Sequence, residues 1–147
     1  MFKIKKVKKS KLSLIISAIV LIFLAFLTMN VLNANVSIDN EKIKASGFFG
    51  FSLNLNEVKN IEIIENVDIV IKLNGAGIGK THKGLYRIRE YGNAKLYINN
   101  KDLKYNILIT SKEDKIFIIN LKDKEETKEL YNKIYDEVID LESYKSN

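Results

Sequence analysis

The chain's one histidine, His82, and its only two arginines, Arg87 and Arg89, lie close together in sequence, beside Lys80 and Lys83. Lys95 joins them across an expected hairpin, and Tyr97 is expected opposite Arg89. Arginine's planar fork suits carboxylate or phosphate better than lysine does, so the chemistry on offer is anion recognition. The competing reading is an outward sheet face whose charge is shared with Glu90. Catalysis has less to work with. A lone histidine in a chain without cysteine does not complete a zinc site, and it reads as a solvated loop residue. Glu62, Glu65 and Asp68 read as solubilising charge on a sheet. The expectation is a non-enzymatic chain with no cofactor and no metal.

Residues 74–81, "NGAGIGKT", come within one residue of the phosphate-binding pattern G-x-x-x-x-G-K-[ST]. Asn74 stands where its first glycine belongs. Such a loop also needs a helix after it, because the free N–H groups at the helix N-terminus hold the phosphates. Here Thr81 is followed by an alternating, strand-like stretch. Nucleotide binding is therefore not expected, and Gly75, Gly77 and Gly79 read as a permissive loop between strands.

The net charge of +6 invites a nucleic-acid reading that its distribution removes. Six lysines fall in residues 1–11, and without them 18 basic residues balance 18 acidic ones. The basic excess is a tail, not a binding face. From Leu12 to Ile38 no residue is charged, and residues 12–32 are apolar on every face, which is a membrane pattern. At about 1.5 Å per residue these span roughly 31 Å, close to the ~30 Å core of a bilayer. Residues 1–11 then form a basic cytoplasmic tail, 12–32 a transmembrane helix and 33–37 a short joint, with the rest on the extracytoplasmic side by the positive-inside rule. A cleaved signal peptide is the alternative. Its cleavage site would be Leu32-Asn33-Ala34, which has leucine where a small residue is wanted.

The remainder, 38–143 with a tail at 144–147, alternates as strands do. Phe49, Phe51, Leu53 and Leu55 share one face of 49–56. Weaker or longer strands are expected over 41–47, 58–66, 67–73, 105–110 and 115–120. In the last, Phe117 and Ile119 oppose Ile116 and Ile118, so both faces are covered. The stretch 84–99 reads as a hairpin with a three-residue loop at Gly92–Ala94, pairing Ile88 with Ile98 and Arg89 with Tyr97. The period then changes. Asp123 and Glu126 make a capping box, and Leu130, Tyr131, Ile134, Val138 and Leu141 form one apolar stripe on a helix over about 123–142.

Taken in order, "GFFGFSLNLNEVKNIEI", "NGAGIG", "KGLYRIREYGNAKLYIN", "KIFIINLKD" and "KELYNKI" resemble the bacterial PH domain family over about residues 36–135. The resemblance implies a mainly β fold, a PH-like barrel of two near-orthogonal antiparallel sheets capped by a C-terminal α-helix. It does not carry a ligand with it. Three roles stay open. One is a membrane-anchored module for a protein partner or a second copy of itself. Another is anionic-lipid or phosphate binding through Lys80, His82, Lys83, Arg87, Arg89, Lys95 and Tyr97. The third is a secreted domain released by signal cleavage.

Overall fold

A computed structural model describes residues 11–33 and 35–145, so all of the basic tail except Lys11 lies outside the described residues. The chain opens with α1 (Lys11–Leu32) and then forms β1 (Val36–Asp39), β2 (Lys42–Ala45) and β3 (Phe51–Asn54). A 3-10 turn at Leu55–Glu57 leads into β4 (Val58–Ile64), β5 (Ile69–Ile78) and β6 (Thr81–Ile88). Then follow β7 (Gly92–Ile98), β8 (Asn106–Ser111), β9 (Ile116–Asn120) and α2 (Lys124–Lys145). The small sheet has the order β1-β2-β3, the large one β4-β8-β9-β7-β6-β5. All neighbours are antiparallel except β7 and β9, which run parallel.

The large sheet must curl. Its edges β4 and β5 are five inter-strand steps apart, about 24 Å if the sheet were flat, yet only residues 65–68 link them. Five Cα steps reach roughly 18 Å at most, so the edges bend toward each other. Val67 of that link packs on the cluster of Tyr86, Ile88, Ala94, Leu96, Ile98, Leu108 and Ile118 that the curl encloses. The opposite face of the large sheet meets the small sheet and α2. Ile43, Phe51, Leu53, Tyr97, Ile107, Ile109, Phe117, Ile119, Leu130 and Ile134 fill that space.

Side-chain period explains both layers. Phe117 and Ile119 enter one cluster and Ile118 the other, as the alternation predicts. On α2, Leu130 and Ile134 are buried, with Tyr131, Val138 and Leu141 packed against the core. Asp123 caps this helix by accepting from the Glu126 N–H (3.0 Å). A polar staple ties the β7–β8 connection to β9. Buried Asn120 accepts from the N–H groups of Asn99 and Asn100 and donates to Asn100 O and Asn106 Oδ1 (both 2.8 Å). These four hydrogen bonds satisfy the Asn120 side chain, where each lost one would cost about 1–3 kcal/mol, while the neighbouring Asn99 Oδ1 is buried without a partner.

The 84–99 hairpin turns earlier than the sequence suggests. Ile88 pairs with Gly92 and Lys83 with Tyr97, so the turn is Arg89–Tyr91 and Arg89 has no strand partner on β7. Gly92 sits at φ 72°, the left-handed geometry that closes such a turn. The expected register was off by six residues. Because six is even, every side chain still falls on its expected face.

Candidate functional site

The glycine stretch is strand, not loop. β5 continues through Gly75 and Gly77 to Ile78, and the chain reverses at Gly79 and Lys80. Gly75 and Gly84 face each other across the ladder. A Cβ on Gly84 would land on the Asn74 carbonyl oxygen, and one on Gly75 on the Lys83 carbonyl oxygen. Glycine here permits close backbone approach, a use of the residue that looks the same as a loop in sequence. Strand β6 begins at Thr81, where a phosphate loop would place a helix.

That geometry disperses the cationic group. Lys80 lies in the turn and pairs with Asp102 (2.8 Å). Arg89 pairs with Asp68, and Arg87 donates to Asn93 Oδ1 (3.3 Å). Lys95 is exposed on β7 opposite Leu85. His82 and Lys83 are on β6, not in a loop, and point to opposite faces. The His82 ring stacks edge-on to Tyr86, its Nε2 is buried with no hydrogen-bond partner, and burial pulls its pKa down, aided by Lys101 and Lys72. Of the seven residues, Lys83 and Tyr97 meet. Arg89 does not reach Tyr97, because the register puts Lys83 there instead.

Lys83 is only 2% exposed, an unusual place for an ammonium. Its Nζ sits 4.2 Å from the centre of the Tyr97 ring and donates to the Val31 carbonyl oxygen at 2.6 Å. Val31 belongs to the last turn of α1, which leaves its final carbonyls without helical partners and carries no basic residue of its own. A cation from β6 therefore caps α1 at the negative end of its dipole. Asn30 adds a second link, its Oδ1 accepting from the Phe48 N–H (3.2 Å). Tyr97 is held from behind by a hydrogen bond to Ser46 O (3.2 Å).

Burial pulls the Lys83 pKa from 10.5 down to about 8 and pushes Tyr97 up to about 12. Between about 8 and 10.5 the unfolded chain holds the lysine proton more tightly than the folded one, so stability rises with pH. Above about 10 the tyrosine acts in the opposite sense, because only the unfolded chain ionises it. The thermal midpoint should climb from neutral pH to a maximum between about 9 and 10, then fall. In Lys83→Met the climb should be absent, and a climb of equal size would assign it to other groups.

Two sheets, a C-terminal helix on the core and an apolar N-terminal helix make up the described chain. A family model described as "Bacterial PH domain" matches residues 32–134, more than half of the sequence. The chain belongs to that family. No curated protein and no solved structure matches. The matched PH domain begins one residue after Val31 and contains Lys83 and Tyr97. The Lys83 link thus joins the PH domain to the helix that precedes it.

Sequence reasoning missed that link because nothing local marks it: the acceptor is 52 residues away in the chain. It also left unassigned which strand forms the outer edge of the PH domain. β5 is the last strand of the large sheet, and Val70, Ile71 and Leu73 on it are each about half exposed (52%, 53% and 44%). Among the described residues no group of three or more His, Cys, Asp or Glu side chains gathers around a metal-sized space.

Proposed function

We propose that this protein is a single-pass, membrane-anchored interaction module with no catalytic role. Its PH domain binds a protein partner or a second copy of itself at the cell envelope. α1 is 22 residues long, with mean hydropathy 2.8 over its best window and none of that window buried. With five lysines before it and Lys11 at its first position, the N-terminus lies in the cytoplasm and the PH domain outside. The observation that carries the binding role is the β5 edge. A ten-residue strand with unpaired backbone groups on one side and exposed Val70, Ile71 and Leu73 is suited to accept a further strand. The anionic-ligand reading has less support. Lys80 and Arg89 are already ion-paired, and Lys83 and Tyr97 face inward.

The chain has no cysteine, so single cysteines report cleanly. Val70→Cys and Leu73→Cys in intact cells should give thiol-crosslinked dimers or a discrete heavier adduct, and Glu129→Cys on α2 should not. A membrane-impermeant thiol reagent should label Glu129→Cys in whole cells. Crosslinking that is absent at 70 and 73, or equal at 129, contradicts the edge reading. Labelling only after lysis reverses the topology.

A further inference from the structure

The last two turns of α1 do not stand clear of the PH domain. Leu24, Leu27, Thr28 and Val31 form one wall of a groove of about 440 Å³, and Phe48, Phe49, Ala76 and Ile78 form the other. The groove offers no free polar group along α1, since the one hydroxyl, on Thr28, is spent on Leu24 O (2.9 Å). Phe48 at its mouth is 62% exposed. Lys83 and Asn30 lock the two walls together, so the gap is a fixed feature of the fold.

Depth decides what fills it. α1 is about 33 Å long, against a hydrocarbon core of about 30 Å, so nearly all of it is needed to cross. Leu24 lies roughly 12 Å back from Leu32, within the outer part of that core. Residues of the domain that face the same turns are held at the same level. An apolar space at that depth is filled by lipid tails and not by water. Next to the groove, the hairpin tip places the Lys80–Asp102 pair beyond Ile78, where charge meets headgroups.

We propose that this groove is a lipid acyl-chain site, with the Phe48–Phe49 turn and the β5–β6 hairpin tip resting in the adjoining membrane interface. The PH domain then sits against the bilayer instead of hanging from a flexible tether. The proposal rests on α1 spanning the membrane, and the two are separable by experiment. The full chain is reconstituted in phosphatidylcholine–phosphatidylglycerol vesicles with an environment-sensitive fluorophore on one of four cysteines: Ile19→Cys, Phe48→Cys, Ile78→Cys or Glu129→Cys. Lipids carrying a spin label near the glycerol end of the acyl chain should remove most of the emission at 48 and 78. Labels near the chain terminus should quench 19 preferentially, and 129 should resist both. Quenching at 19 with none at 48 and 78 overturns the groove assignment while the anchor stands. No quenching at 19 overturns both. Quenching at 48 and 78 that disappears as protein is crowded into the vesicles assigns the groove to a second copy and overturns the lipid site.

Discussion

Lys83→Glu should release α1 from the PH domain. The substitution places a carboxylate against the Val31 carbonyl oxygen, at the negative end of the helix dipole and in a site that is 2% exposed. Neither oxygen can donate unless the acid is protonated, and an uncompensated buried charge of this kind costs about 3–5 kcal/mol. This link and the Asn30–Phe48 bond tie α1 to the PH domain, so the loss falls on docking first. Spin labels on Leu21→Cys of α1 and Ser52→Cys of β3, measured in vesicles, should give one narrow distance distribution in the parent and a broad one in Lys83→Glu. Lys83→Met separates charge from shape. It keeps the volume and strands one carbonyl, at about 1–3 kcal/mol, so its distribution should be intermediate. An unchanged distribution in Lys83→Glu would show that the apolar groove alone fixes the helix.

Gly84→Ala should cost more than any surface change in the domain. Gly84 has φ +123°, outside the range L-residues favour, and a Cβ there would overlap the Asn74 carbonyl oxygen and the Gly75 Cα of the facing strand. Both atoms are backbone, so relief requires β5 and β6 to part. A loss of about 4 kcal/mol or more is expected, seen as a collapse of the thermal midpoint in detergent. Gly92→Ala is the matched control. Its φ is +72°, but no atom lies within 4 Å of the added methyl group. The cost is then backbone strain alone, about 1–2 kcal/mol. Equal losses at the two sites would mean that the close approach of β5 and β6 contributes nothing.

The parts of this fold that were legible in the sequence are those set by local period. α1 follows from an uncharged run, α2 from the spacing of Leu130, Ile134, Val138 and Leu141, and the two-sided burial of β9 from Phe117 to Ile119. The PH-domain assignment rests on the order of these elements. What was misread depends on contacts between distant segments. Gly75 looks like a loop residue until it and Gly84 are seen to make room for each other's strand. The β6–β7 register was misplaced because alternation fixes only odd against even, and a slip of six residues leaves every face unchanged. Lys83 was grouped with surface cations because lysine is seldom buried. Its acceptor is a backbone carbonyl at the end of a helix, and a carbonyl has no sequence signature. The edge of β5 was hidden for a related reason, since strand order and not composition decides which strand lies outermost.

The role argued for this protein depends on α1 remaining attached and crossing the bilayer. Membranes from cells producing the full chain should be washed with alkaline carbonate, and the chain that stays in the pellet weighed intact by mass spectrometry. The pelleted chain should retain the residues of α1. A chain recovered in the wash, beginning after Leu32, would contradict that role, because the Lys83–Val31 link and the lipid groove would then have no helix to act on.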